Sequence, residues 1–464
     1  MKTKLILSLL TVSLLFTSCF DDLDDNIQQA STQEIQNFIY RGLNFFYLYK
    51  ADTPELANDA FANQGELNNF LDNYETPEAL FSFLRSDQDR FSLLVDDYIA
   101  LENAISGVSL SNGMEFGLVR SAENVGDVFG YVRYVLPNTN AASKGLQRGI
   151  IFNTIDGQQI TEENAATLLS PDTYTIGLAT LEGTTVTPTG ESVELTKTQY
   201  QENPVYIAKT LEVNGMKIGY LMYNAFTQDF DPQLNQAFAQ FKADNVTDLV
   251  LDLRYNGGGS VETSSDLCSM ITGQFNGELY FNEEWNADRQ EQYAEPGLFN
   301  NQISTGDAIN SLNLTQLYVL TTGRTASASE GVINGLDPYI NITQIGQNTE
   351  GKFQASFILY DAPAPNFSRS RANIEHTYAM LPLVFKTVNA AGNTDYIDGL
   401  VPDIEMNEDF SNLGTLGDVN EPFLATAISQ ITGTSRPQYK NLPAMEVFYE
   451  NKQESPIYQL MIAE

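Results

Sequence analysis

Asp252-Leu253-Arg254-Tyr255-Asn256-Gly257-Gly258-Gly259 closes the apolar run Leu249 to Leu253. Three glycines after a buried strand open backbone conformations that other residues avoid, and let N–H groups face a bound oxygen. Further on, Thr322-Gly323-Arg324-Thr325-Ala326-Ser327-Ala328-Ser329-Glu330 follows a second apolar run, Leu317 to Thr321. Small residues around a serine at a strand-to-helix turn leave its hydroxyl exposed and set the next N–H at the positive helix end. Taken singly, the first stretch also describes a flexible turn and the second an ordinary helix cap.

The surroundings read as an α/β core over 198–464. Lys217 to Tyr223 predicts a strand, and Pro232 to Lys242 an amphipathic helix with Leu234, Phe238 and Phe241 on one face. Such alternation predicts layers with the site at the strand ends. Earlier, over 27–103, apolar residues such as Ile35, Phe38, Ile39, Leu43 and Phe46 recur at spacings of three and four, which predicts a small helical domain. Pro54 and Pro77, each after a threonine, fit first-turn positions. Over 104–197 short β-type runs alternate with turns: Phe116 to Val119, Val128 to Val132, the Asp156-Gly157 turn, then a short capped helix from Thr161 to Leu169.

Composition narrows the chemistry. Among 464 residues, 24 Lys+Arg stand against 60 Asp+Glu, a formal charge of −36. A polyanion would be repelled, so nucleic acid is excluded as a partner. Two cysteines exclude a disulfide framework and a four-thiolate zinc site, and one histidine excludes a His-rich one. No metal or other cofactor is expected. Any Ser-His-Asp mechanism would need His376, which lies in Asn373-Ile374-Glu375-His376-Thr377-Tyr378, apart from both turns. Cys268 has no cysteine or histidine beside it and reads as a buried apolar side chain.

The N-terminus reads as an address. Met1-Lys2-Thr3-Lys4 precedes the apolar run Leu5 to Phe16, and Phe16-Thr17-Ser18-Cys19 resembles a bacterial lipobox. Residues 1–18 would be a signal peptide, Cys19 the lipidated anchor, and 19–26 an acidic tether on an exported cell-envelope lipoprotein.

Two resemblances join these readings. The β-rich block resembles a PDZ domain through Lys144-Gly145-Leu146, Gly149-Ile150-Ile151 and Asp156-Gly157. PDZ-type domains add an extended peptide as a strand, and the matching loop and strand here supply Glu115, Phe116, Gly117 and Leu118. Glu115 beside a carboxylate site argues against tight capture of free C-termini. The two glycine- and serine-bearing turns, with Gly346-Gln347-Asn348-Thr349-Glu350-Gly351-Lys352 after them, resemble the carboxyl-terminal processing (tail-specific) proteases of the S41 serine peptidase family. Asp87-Gln88-Asp89-Arg90-Phe91-Ser92, Asp398 to Asp403 and Leu416-Gly417-Asp418 extend the likeness.

The S41 resemblance implies a crotonase/ClpP-like layered ββα core and cleavage of polypeptides near their C-termini. It implies Ser327 as nucleophile and Lys352 as base, Gly258 or Gly257 with Ala328 as oxyanion donors, and Glu330 and Thr349 as supports. The stretch between Gly259 and Leu317, with Trp285, departs from the family and reads as an insertion. Glu350 would raise the lysine's pKa unless it faces elsewhere. Two rivals stay open: a non-catalytic peptide-binding lipoprotein, and an acyl-thioester enzyme of the same layering, which the lack of a nucleotide-binding motif disfavours.

Overall fold

A computed structural model describes residues 29–435, 445–453 and 455–463. The expected signal peptide, Cys19 and the acidic tether to residue 26 lie outside the described residues.

The α/β core is built on a six-stranded sheet in the order Val205–Val213, Met216–Tyr223, Asp248–Asp252, Gln316–Thr321, Asn341–Gly346, Ile404–Glu405. The first pair is antiparallel and every later pair parallel. Its central strands Asp248–Asp252 and Gln316–Thr321 are largely buried and apolar because both faces are covered, whereas the edge strand Val205–Val213 exposes Lys209 and Glu212. On one face Leu221, Leu249, Leu251 and Val319 pack on the helices Asp231–Asp244, Val261–Ile271 and Ala328–Leu336. On the other, Tyr220, Val250 and Leu320 pack on the helix Pro422–Thr432.

A second six-stranded sheet lies across the helices. Its order is Gly259–Ser260, Met461–Ile462, Gln354–Ser356, Leu383–Asn389, Leu279–Trp285, Gly297–Leu298. Ala355, Phe385, Phe281 and Met461 join the same apolar core as the helices, which gives the layered α/β arrangement. The supposed insertion is therefore structural. It supplies a core helix, Val261–Ile271, and a strand, Leu279–Trp285, with Trp285 buried against Phe357 and Phe385.

The expected helices Thr32–Phe46 and Pro77–Leu84 form, joined by Gln64–Leu71, and share the main core: Phe46 packs on Trp285 and Phe357. Thr76 caps its helix as expected. Thr53 instead donates to the Leu84 carbonyl, and Pro54 opens only a three-residue 3-10 turn. The β-rich domain has its own core of Phe116, Val132, Phe152 and Ile176. Asp156 and Gly157 both have positive φ, as a two-residue hairpin turn needs, while the following helix starts later than expected, at Ala165. The outer edge of this domain's sheet is not open: Val447–Glu450 pairs antiparallel with Met114–Arg120. Among the described residues no helix is long and apolar enough to cross a membrane.

Candidate active site

The two turns meet where the parallel strands end. Thr325 Oγ1 donates to the Leu253 carbonyl at 2.8 Å, Ala326 N–H to Asn256 O at 3.2 Å, and Arg324 Nε to Tyr255 O at 2.9 Å. Asn256 holds the glycine turn in shape by donating to Tyr223 O and accepting from the Gly258 N–H at 2.9 Å. A Cβ on Gly258, at φ 105°, would fall 2.5 Å from Ser327 Cβ, so only glycine lets the turns approach.

Ser327 sits at the start of the Ala328–Leu336 helix with φ 65° and ψ −120°, a conformation that a non-glycine residue holds only under surrounding constraint. Part of that constraint is Glu330, whose carboxylate accepts the Ser327 N–H at 2.7 Å. The Ser327 hydroxyl was expected to be exposed; it is fully buried, and its Oγ has no hydrogen-bond partner.

Lys352 follows the parallel strand Asn341–Gly346 and is 1% exposed. Burial brings its pKa down to about 7, against the opposing charges of Asp89, Glu330 and Glu350. Its Nζ lies 4.9 Å from the centroid of the Phe91 ring and donates to the Gln459 carbonyl at 2.8 Å. No Ser327–Lys352 hydrogen bond is made in this state; the lysine is engaged by the chain's own C-terminal segment.

Glu330 ties the serine and lysine segments together. Besides the Ser327 N–H it accepts Thr349 Oγ1 at 2.5 Å, Gly351 N–H at 2.7 Å and the Lys352 backbone N–H at 2.8 Å. Burial raises its carboxyl to about 7 despite these bonds. Its contact with Lys352 runs through the backbone, so it fixes where the lysine stem starts. Thr349 joins the same cluster and accepts the Leu400 N–H at 2.7 Å.

Other expected residues fare differently. The Gly258 N–H, expected as an oxyanion donor, points to Asn256 Oδ1 at 2.9 Å in this conformation. The Ala328 N–H stands at the first helical position, where no intrahelical acceptor exists. Glu350 turns to Arg90, 3.4 Å away. Glu115 is buried and accepts Asn451 Nδ2 at 3.1 Å, with Lys452 Nζ 3.4 Å away, so it attracts the tail rather than repelling it. Phe116, Gly117 and Leu118 lie on the strand that carries Val447–Glu450. His376 is elsewhere: its Nδ1 accepts the Tyr378 N–H, leaving Nε2 to donate to Asp361 at 3.1 Å. Cys268 is buried and its thiol is pushed up by burial.

Several participants carried no role in the sequence reading. Phe91 and Arg90, in the Asp87–Ser92 motif, flank Lys352; Arg90 Nη2 also reaches the Gly351 carbonyl at 3.2 Å. Arg254 is fully buried between Asp252 at 2.7 Å and Glu421 at 2.7 Å, and anchors the glycine turn. Burial would raise Asp252, yet the Arg254 charge and its hydrogen bonds hold the carboxyl below its ordinary value.

A cavity of about 710 Å³ opens beside the glycine turn, between Ser106–Ser111, Asn224–Asp229 and the Ser455–Leu460 segment. It offers space for a peptide along the same line as that segment.

Known proteins resemble this arrangement. Residues 217–371 match the model of peptidase family S41, and 34–93 that of the peptidase S41 N-terminal domain. A carboxyl-terminal-processing protease of Picosynechococcus sp. is 27% identical over 235 residues, which is 49% of this chain and 52% of that protein. Carboxyl-terminal-processing peptidase 2 of the Arabidopsis thaliana chloroplast is 27% identical over 271 residues, 56% of this chain and 48% of that protein. The match thus spans about half the length of these curated relatives. The crystal structure of an assigned S41 protease from Bacteroides fragilis superposes with a TM-score of 0.67 at 27% identity, covering 85% of this chain and 97% of that one.

Proposed function

Because the chain belongs to peptidase family S41, whose carboxyl-terminal-processing members are serine peptidases, we propose that it hydrolyses peptide bonds near the C-termini of polypeptides through Ser327 and Lys352. The observation that carries this reading is that Glu330 holds the backbone N–H groups of a strained, unpartnered serine at a helix start and of a fully buried lysine, whose burial brings its pKa down to about 7. A base must be neutral to take a proton, and an ordinary lysine near pKa 10.4 is not.

In the reaction Lys352 Nζ leaves the Gln459 carbonyl and accepts the Ser327 Oγ proton as Oγ attacks the substrate carbonyl carbon. The developing oxyanion is held by the Ala328 N–H at the positive helix end, with the glycine turn opposite. Collapse breaks the C–N bond, and the leaving amine takes the proton from Lys352. Water, deprotonated by the same lysine, then attacks the acyl carbon; the C–Oγ bond breaks and Ser327 Oγ takes the proton back from Lys352. Glu330 and Thr349 are positioning residues that hold both backbone segments in place.

The β-rich domain, PDZ-like in its turns, engages the substrate as an added strand before cleavage. Cys19 anchors the exported protein to a bacterial membrane. Cys19→Ala releases it into the soluble envelope fraction; unchanged membrane retention refutes the anchor.

The alternative is a peptide-binding protein without catalysis, and the absence of a Ser327–Lys352 hydrogen bond favours it. A fluorophosphonate probe separates the two. Labelling that disappears in Ser327→Ala supports the peptidase, whereas an unlabelled, folded parent that still binds peptides supports the binder.

A further inference from the structure

The C-terminal segment links the β-rich domain to the nucleophile as an added strand followed by turns, with the Gln453 N–H donating to Glu450 O and the Tyr458 N–H to Ser455 O, each at 3.0 Å. Val447–Glu450 adds to the strand Met114–Arg120 in the register Val447↔Val119, Tyr449↔Leu118 and Glu450↔Gly117. Glu450 is then clasped from two sides. Its Oε1 accepts Arg133 Nη2 of the β-rich domain at 2.9 Å, and its Oε2 meets Arg324 of the serine-bearing turn. Lys452 pairs with Glu202 at 2.6 Å. Beyond it, the Gln459 carbonyl takes the Lys352 Nζ hydrogen, and Leu460 O and Ser327 Oγ both lie within 2.7 Å of the Cβ position on Gly258. Met461 and Ile462 continue as a strand, parallel to Gly259–Ser260 and to Ser356.

The side chain of Leu460 is 3% exposed and fills a pocket walled by Leu101 and Leu381, with Ile105 and Ile358 at its margin. Nothing polar is needed there, and the pocket is finished before any outside ligand arrives. Two charged clasps, an added strand, a filled apolar pocket and a carbonyl on the proposed base are what a bound peptide would need. Here a single stretch of the chain itself supplies them.

On the reading that Ser327 and Lys352 cut peptides, we infer that residues 447–453 and 455–462 occupy the substrate path: the chain is self-occluded, and its substrates are unfolded segments that replace this stretch. Such a substrate adds a strand at Met114–Arg120 and places an apolar residue in the Leu101–Leu381 pocket.

The test uses the full chain, the chain ended at Asn451, and full-length Leu460→Asp, which keeps the added strand. Release of the tail raises the competent fraction, so both altered chains react with a fluorophosphonate probe about tenfold faster or more than the parent. In parallel, a fluorescein-labelled peptide of residues 445–464 is titrated into Ser327→Ala proteins. It binds the chain ended at Asn451, and a Leu460→Asp peptide binds at least about tenfold more weakly, the scale of an unmet apolar contact. Equal probe rates in all three chains, or no peptide binding by the shortened Ser327→Ala chain, overturn the inference. Peptide binding is read without catalysis. A chain that binds the peptide but never takes the probe therefore refutes the peptidase reading while supporting the occupied path.

Discussion

Lys352 Nζ donates to the carbonyl of Gln459 at 2.8 Å, so the proposed base is held by a residue near the end of its own chain. The same lysine is fully desolvated and has no ion pair, which is why its pKa falls to about 7. Removing either reacting group tests its role. Ser327→Ala and Lys352→Ala, each in the chain ended at Asn451, lower cleavage of an unfolded test protein by about three orders of magnitude or more, with unchanged far-UV circular dichroism. Cleavage at the parent rate by either variant would exclude the dyad.

The pH profile follows from the same burial. Since the neutral amine is the active form, kcat/KM rises with pH through about 7. Stability follows a separate course. From about pH 7 to the ordinary lysine value the unfolded chain binds the proton and the folded chain does not, so Lys352 makes stability rise with pH there. Glu330 acts oppositely at lower pH. Raised from 4.5 to about 7, it binds its proton more tightly when folded, and its contribution falls as pH rises through that window. Denaturant titrations from pH 5 to 9 check both slopes, and Lys352→Met removes the upper one.

Glu330 accepts four hydrogen bonds that join the serine and lysine segments. Glu330→Ala leaves those buried donors unmet and costs about 3 kcal/mol or more. Glu330→Gln keeps the shape and part of the acceptor set, so it recovers most of the melting temperature. Because its role is to position, its kcat drops while KM stays near the parent value.

Arg254→Met removes the nearest cation from buried Asp252 and Glu421, leaving Asp252 the Tyr220 hydroxyl and Glu421 the more distant Arg148 at 3.9 Å, and destabilises the fold by about 3–5 kcal/mol. Chemical denaturation measures the loss. The double change Arg254→Met with Asp252→Asn recovers part of it if the cost is the stranded charge.

His376→Gln separates the mechanisms from the other side. The ring bonds only Asp361 and the Tyr378 N–H and packs on Phe38, away from both turns. Peptidase activity is unchanged in this variant, and only local stability near Asp361 declines. A loss of activity with the fold intact would return histidine to the mechanism.

The parallel strands, the glycine turn and the serine turn were readable because each is local: an apolar run, then residues whose conformational needs are written in their type. The helices of the first block were readable for the same reason, through Ile35, Phe38 and Leu43. What escaped is long-range. Val447-Phe448-Tyr449-Glu450 and Leu460-Met461-Ile462 are runs too short to declare a partner, and their partners Met114–Arg120 and Gly259–Ser260 are far away in sequence. The contact of Asn256 Oδ1 with the Gly258 N–H likewise exists only in the folded turn. That Trp285, in the stretch read as an insertion, is buried against Phe357 and Phe385 also needed the folded chain.

The covalent continuity of that tail with the enzyme has a kinetic meaning. A free inhibitor is lost on dilution, whereas a tethered one faces its site at an effective concentration on the order of millimolar whatever the protein concentration. The resting state is therefore set within each molecule. A thousandfold-diluted sample and a concentrated one hold the same fraction of closed sites, and only a competing polypeptide or removal of the Val447–Ile462 stretch changes it.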